Sequence, residues 1–258
     1  MTGRTVGFAL GMMIAALGMT DRAQAGSAGD FTVGIEPSYF AGRYGTSHMI
    51  HIYDLPLSVA YQSGPLRLRI ELPYIAISGS GLVIGGTAVS SGHAADLRSG
   101  PGDVWLQGEY RLNRVDGILP SVEPYLKIKV PVASYSDGLG TGRPDEEFGS
   151  RFSWEIGRHI FPFIRLGYRL IGQVPSLHLQ NIFTFGPGVT VVPAEHQYVT
   201  ALLIGHTAIQ QNRHPAISLV VAYNFRISTR WELQAYLAHG LTAGSADIGG
   251  GLGVLTHF

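Results

Sequence analysis

Charged side chains in the middle of apolar stretches are the residues best suited to chemistry. They recur at every second position, so within each predicted strand they share one face. Inside a closed barrel such a face sets ion selectivity or binds polar groups of a solute. Alternatively, a narrow barrel fills its interior with its own side chains, and these charges pair with one another. The candidates for the pore lining are Arg67, Arg69, Glu71, Glu109, Arg111, Lys127, Lys129, Arg151, Glu155, Arg165 and Arg169.

The neighbours of these charges follow from strand order. Charges at 67–71 on the third predicted strand are expected beside 103–111 on the fourth, and charges at 151–155 beside 165–169. Cations exceed anions on strands three, five and seven, which favours an anion or a carboxylate as the solute group. The acidic stretch 137–147 is expected to be a solvated loop rather than a divalent-cation site.

Period-two alternation from Asp30 onward predicts the elements that hold these charges. We count twelve strands, an even number, so both termini lie at one end. The fold class is therefore all-β, an antiparallel transmembrane β-barrel. On the ninth strand the large residues Tyr198, Leu202 and Ile204 are assigned to the lipid face. Gly100–Asp103 is expected to set the entry from a loop into the fourth strand.

Connections and aromatic residues both favour a membrane barrel over a soluble sandwich. The predicted turns at one end are short, at 62–65, 157–159 and 193–196, and the opposite end includes the long loops 78–100 and 134–146. Aromatic residues gather near the strand ends on the apolar face. Two aromatic girdles around an aliphatic band are typical of a lipid-embedded barrel.

The last eleven residues, from Ile248 to Phe258, alternate in the same way but are rich in glycine. Such a strand would be an unprotected edge in a soluble domain, whereas pairing with Phe31–Tyr39 would close a barrel. A terminal aromatic residue after alternating apolar positions resembles the C-terminal recognition strand of outer-membrane barrels. Phe258 is therefore predicted to act in membrane assembly, with the outer-membrane assembly machinery as partner.

The N-terminus predicts export from the cytoplasm. Arg4 precedes an apolar run from Val6 to Met19, and Ala23–Ala25 supplies small residues for cleavage, so 1–25 is a predicted signal peptide and 26–258 the barrel. The chain has 18 basic and 18 acidic residues among its 258, a balance that gives no sign of a nucleic-acid partner. It contains no cysteine, so disulfides and thiolate metal sites are ruled out.

Four segments together resemble one family. They are LRLRIELPYI at 66–75, SGPGDVWLQGEYRL at 99–112, EPYLKIKVPVA at 123–133 and the tail from 223 to 258. In their order and spacing they resemble the outer-membrane family named for the meta-pathway of phenol degradation. The resemblance implies a channel or transporter barrel of the Gram-negative outer membrane.

The function predicted is passive uptake of small solutes, aromatic or hydrophobic ones among them, with the outer-membrane bilayer as the other partner. Two alternatives remain. One is a closed barrel that only displays its loops, and the other is an outer-membrane lipid hydrolase. A hydrolase needs a serine and a histidine held together with an orienting partner. The sequence has no GxSxG element and no nucleotide fingerprint, so no enzyme activity, cofactor or metal is expected.

Overall fold

Twelve antiparallel strands close into a barrel, which confirms the predicted fold class. The computed structural model describes residues 29–79, 97–112, 119–211 and 213–258, with the backbone of three short strands in addition. The barrel strands are β1 (Asp30–Ile35 and Ser38–Gly42), β2 (Ile50–Ser63), β3 (Leu66–Ser78), β4 (Arg98–Pro101 and Val104–Tyr110), β5 (Ser121–Val130), β6 (Asp145–Ser153), β7 (Ile160–Leu170), β8 (Ile182–Ala194), β9 (Gln197–His206), β10 (Ala216–Arg226), β11 (Trp231–Gly240) and β12 (Ile248–His257).

The three short strands, Arg4–Val6, Leu82–Ile84 and Thr87–Ser90, pair in a separate antiparallel sheet. The signal peptide predicted for 1–25 lies outside the described residues, apart from the backbone of the first of these strands. The described part of the chain contains no helix long and apolar enough to cross a membrane.

The first and last strands pair and close the barrel, as predicted. Val254 pairs with Ile35, and Gly250 pairs with Tyr39. Phe258 extends the ladder by one step, because its backbone N–H donates to the carbonyl of Phe31 at 2.8 Å. The barrel therefore begins and ends, at Asp30 and Phe258, on the side that carries short turns such as Gly64–Pro65. We call this side the turn end. The opposite end, with loops such as 131–144 and 171–181, is called the loop end.

The outer surface of the barrel is apolar. Leu57, Leu68, Val221 and Leu252 are among many large aliphatic side chains exposed on it, with Leu252 at 66%. Such a surface is costly in water and suits a lipid environment. The charged face points inward, so strand alternation separates the two environments as expected.

The face predicted for β9 was wrong. Leu202 and Ile204 are buried inside the barrel, and Leu203 is exposed outside. Large apolar residues occur in both sets of alternate positions on this strand, so the size of the side chains does not decide which set faces the lipid. The inward phase also carries Thr200, whose hydroxyl lies 2.8 Å from that of Thr190 on β8. The fully apolar phase faces out, because a hydroxyl in lipid lacks a partner.

Prolines explain why β1 and β4 are each interrupted. Pro56 on β2 and Pro73 on β3 are register partners, and neither has an N–H to donate to its other neighbour. Opposite them the ladder breaks at 36–37 in β1 and at 102–103 in β4. The Gly100–Asp103 element is thus an interruption within a strand, rather than the entry into a strand that we predicted.

The glycines of β12 that face inward make room for large side chains of neighbouring strands. A Cβ on Gly249 would lie 2.1 Å from the Phe40 ring, and one on Gly251 would lie 2.7 Å from the Tyr236 ring. No real Cβ tolerates such distances, so any larger residue here must displace a ring. The glycine-rich sequence therefore reflects dense packing inside the barrel at its closing seam.

Candidate functional site in the barrel lumen

Most of the predicted pore-lining residues lie on the inner wall formed by β3 to β7. Two of them lie apart from the others. Arg111 follows the end of β4, and its side chain is 49% exposed. Glu155 lies in the turn after β6 and is exposed, so it does not neighbour Arg169 as expected. The remaining nine candidates, which are Arg67, Arg69, Glu71, Glu109, Lys127, Lys129, Arg151, Arg165 and Arg169, belong to strands whose charged face points inward.

At the loop end, Lys129 joins the wall to loop 131–144. Its Nζ lies 2.8 Å from Asp145 Oδ2, 3.5 Å from Asp103 Oδ2 and 3.1 Å from the Thr141 hydroxyl. Asp103 also accepts the backbone N–H groups of Val132 and Ala133. Lys129 is fully buried, so it anchors the loop instead of facing an open channel.

One step further into the lumen, Glu147 is the centre of a second cluster. It receives Arg169 through Nε at 2.7 Å and through Nη2 at 2.6 Å. Its other carboxylate oxygen accepts the hydroxyls of Tyr125 at 2.8 Å and Thr184 at 3.2 Å. Both guanidinium nitrogens reach the same oxygen, Oε2, so each carboxylate oxygen has two partners, and a charge with its hydrogen bonds satisfied in this way tolerates burial.

These two clusters overturn the prediction that the acidic stretch is a solvated loop. Asp145 and Glu147 lie on β6 and point inward, whereas Glu146 is exposed. Their partners come from β5 and β7, which a single sequence does not place beside them. The predicted cationic excess of the wall is accordingly reduced, because the main cations of these clusters each have an inward carboxylate.

Three further inward cations lie over the faces of aromatic rings. Lys127 Nζ lies 4.8 Å from the centroid of the Trp105 ring, and the Arg165 guanidinium lies 3.8 Å from that of Tyr125. Arg151 lies over Phe163 at 4.9 Å. These contacts hold cations against ring faces. We call the three pairs the cation–aromatic ladder.

Toward the turn end the wall continues with exposed and half-buried pairs. Glu123 Oε1 accepts a hydrogen bond from Arg111 Nε at 2.7 Å, and Glu123 Oε2 lies 4.0 Å from Arg151 Nη1. Gln107 donates to Glu109 at 2.5 Å. Charged groups thus follow one another along β3 to β7 from the turn end to Lys129.

An apolar collar fills the loop end of the lumen. Buried side chains from β1, β2 and β3 meet the loop residue Leu139 there, and they form one continuous cluster. The collar consists of Phe40, Ile50, Ile52, Ile75, Ile77 and Leu139. It was missed in the sequence because these inward residues follow charged ones on the same face of the same strands.

At the turn end, polar contacts join the closing seam. The Thr32 hydroxyl lies 3.1 Å from His257 Nδ1, and His257 Nε2 lies 3.4 Å from Glu232. Asn224 donates to the same carboxylate at 2.7 Å. The cluster therefore links β1 to β12, β11 and β10.

His206, the last residue of β9, lies on the buried face of that strand, and its Nδ1 lies 2.7 Å from the carbonyl oxygen of Thr207. Among the described residues, no three of His, Cys, Asp and Glu stand close enough to share a metal ion.

Solved structures with a similar fold are outer-membrane proteins. An outer membrane channel from Pseudomonas putida F1 superposes with a TM-score of 0.68 at 16% identity, covering 93% of this chain and 100% of that one. The fold is that of an outer-membrane transmembrane β-barrel. The translocator domain of the autotransporter NalP from Neisseria meningitidis gives 0.59 at 9% identity, with 96% and 93% covered. The NanC porin gives 0.55 at 12%, with 88% and 98% covered.

No family model and no curated protein sequence matches the chain. At these identities the likeness concerns the fold. Barrels of this type serve both as channels and as translocators, so function has to be argued from the lumen.

Proposed function

We propose that the protein is a narrow passive channel of the Gram-negative outer membrane for small solutes. The observation that carries this proposal is the run of inward charges along β3 to β7. A barrel that served only as a scaffold would be at least as stable with apolar side chains there, because buried ion pairs rarely repay their desolvation. A charged inner wall is what a hydrated pathway needs.

The apolar collar and the cation–aromatic ladder indicate the class of solute. A solute that enters from the loop end meets Phe40, Ile52 and Leu139 before it reaches the charged wall, so some apolar surface favours its entry. Beyond the collar, inward-facing rings such as Trp105 are buried beneath cations, so a solute that displaces a cation such as Lys127 gains a ring face on which to stack. The cations themselves offer partners for polar groups. Small aromatic solutes that carry polar substituents fit both zones.

Loop 131–144 is the proposed gate of this channel. It inserts Leu139 into the collar and is tied to the wall through Lys129 and Asp103. Passage requires the loop to move, since the collar is buried as it stands.

Uptake by proteoliposomes tests the proposal. Liposomes that contain the folded protein are expected to swell faster in benzoate, catechol or phenol solutions than protein-free liposomes. A larger solute such as raffinose should not enter at a comparable rate. Equal swelling with and without protein, for every solute, would refute passive transport.

A closed barrel is the second candidate, and the complete burial of Lys129 and of the collar favours it. The same liposomes distinguish the two, because a closed barrel passes none of these solutes. We propose a structural role for the cluster of Thr32, His257 and Glu232 at the closing seam. A hydroxyl, an imidazole and a carboxylate that contact one another in a row also form the arrangement found in hydrolases. Release of fatty acid from phospholipid micelles would contradict that assignment.

A further inference from the structure

One region of the lumen wall collects more acid than it can pair. Glu36, Asp54 and Glu71 come from β1, β2 and β3 and all point inward, and we call them the acidic recess. Arg69 lies between two of them, with Nη2 at 3.1 Å from Glu36 Oε1 and 3.5 Å from Glu71 Oε2. The charge of Asp54 interacts with those of Glu71 and Glu36, which repel it.

The recess has buried oxygens that the protein does not satisfy. Within the described residues, Glu36 Oε2 and Asp54 Oδ1 are buried and accept no hydrogen bond. A buried carboxylate oxygen without a donor costs roughly 1–3 kcal/mol, and more when the group is charged. Few buried polar groups in folded proteins remain unsatisfied, so each one needs an explanation, such as a bound water or ion.

Independent polar groups on β1 and β11 point to the same place. Ser38, Gln234 and Tyr236 are all more than nine-tenths buried, and Gln234 Nε2 completes no hydrogen bond. The hydroxyls of Ser38 and Tyr236 have only each other as a partner. Ser38 is the register partner of Asp54. The Tyr236 hydroxyl is near enough to all three carboxyl groups to interact with them electrostatically.

The backbone positions of β12 locate two of these groups more closely. A Cβ on Gly253 would lie 3.2 Å from Glu36 Cγ and 3.3 Å from Gln234 Cβ. These two side chains therefore sit on either side of one glycine of β12. Polar groups from β1, β2 and β11 thus line the same stretch of the inner wall.

We propose that the acidic recess binds the primary ammonium group of a small organic solute. Two carboxylates share one guanidinium, and Asp54 lies close to both, so the recess is stabilised by protonation or by a bound cation. A bound ammonium group supplies the positive charge and the missing N–H donors together. An ammonium group offers three N–H donors, which suit Glu36 Oε2, Asp54 Oδ1 and a hydroxyl. A bare metal ion is less suitable, because the Arg69 guanidinium keeps Glu36 and Glu71 from closing around it.

Beside the recess, the wall offers a ring and a cation to the rest of the solute. Trp105 is the register partner of Glu71, and Lys127 lies over the Trp105 ring. An amine that also carries an aromatic ring or a carboxylate therefore contacts both sides. The inference specifies a solute class for the proposed channel, but binding itself does not require the barrel to conduct.

Trp105 supplies the measurement. The other tryptophans are Trp154 and Trp231, so a Trp154→Phe, Trp231→Phe background leaves Trp105 as the reporter. The full chain, folded in detergent micelles, is titrated with propylammonium chloride at constant ionic strength. We expect a saturable change in emission, and at least tenfold weaker binding of tetramethylammonium, which has the same charge and no N–H donor.

Asp54→Asn is the principal variant, because it removes the charge with little change of shape. It should weaken propylammonium binding tenfold or more, whereas Glu146→Gln, which alters an exposed carboxylate, should leave it unchanged. Glu71→Gln gives a second test if Asp54→Asn does not fold, with heat-modifiable gel migration as the check of folding.

The proposal is overturned if propylammonium gives no saturable signal, if Asp54→Asn binds it as tightly as the native residue, or if Mg²⁺ binds and ammonium does not. A barrel that binds ammonium but passes no solute through liposomes would refute the channel and leave this site standing. A conducting barrel that binds no ammonium would do the reverse.

Discussion

Removing the ammonium of Lys129 should open the proposed gate. In Lys129→Met the side chain keeps its approximate volume, but Asp145, Asp103 and Thr141 lose the group that holds them at 2.8, 3.5 and 3.1 Å. The contact that Lys129 itself makes with the loop is its hydrogen bond to Thr141. A hydrogen bond to a charged group contributes about 1.5–3 kcal/mol. Because about 1.4 kcal/mol is a factor of ten, the open fraction should rise roughly 10- to 100-fold.

Single-channel recording in planar bilayers measures this fraction directly. Lys127→Met is the matched control, since Lys127 lies two residues away on the same face and rests on the Trp105 ring instead of the loop. It should alter ion selectivity while leaving the open fraction near that of the native protein. Equal open fractions for Lys129→Met and the native barrel, or equal effects of the two substitutions, would refute the assignment of loop 131–144 as the gate.

Two further substitutions and one deletion test other parts of the structure. Glu147→Gln leaves Arg169 buried with a weaker partner, so unfolding in urea should require less denaturant by an amount equivalent to about 3 kcal/mol or more; an unchanged midpoint would contradict the cluster. His257→Ala removes the contacts to Thr32 and Glu232 at the seam and should cost about 1–2 kcal/mol in the same assay, whereas His239→Ala, on an exposed side chain, should cost much less. Deletion of Phe258 should reduce the amount of assembled barrel in the outer membrane, measured by heat-modifiable migration, while export continues; normal assembly would remove its predicted role.

The strand pattern was predictable because lipid and lumen impose opposite demands on alternate residues. β3 shows this most clearly: Leu68 and Ile70 are exposed outside, and Arg69 is buried inside. β12 was predictable from its glycines and its terminal aromatic residue. On β9 we chose the lipid face by the size of its side chains rather than by their polarity. Thr200 shows that one hydroxyl decides which face points inward, even when two large aliphatic side chains share that face.

Register across strands was much harder to predict, and the candidate site depends on it. Arg67 and Glu109 pair as expected because β3 and β4 are consecutive strands, and both alternate clearly between apolar and charged residues. Glu147 was assigned to a loop because its partners, Tyr125 and Arg169, are 22 residues away on either side. The collar and the acidic recess involve at least three strands each, so pairwise reasoning about adjacent strands does not reach them.

The central claim is that the inward charges of β3 to β7 line a pathway for solutes. Its most direct test is the reversal potential of the purified barrel in a planar bilayer under a KCl gradient, for the native protein and for Lys127→Glu. We predict discrete channel openings in both, with the reversal potential of Lys127→Glu displaced toward that of a cation-selective pore. Folded barrels that never conduct, including with Lys129→Met, or an identical reversal potential for both proteins, would contradict the claim.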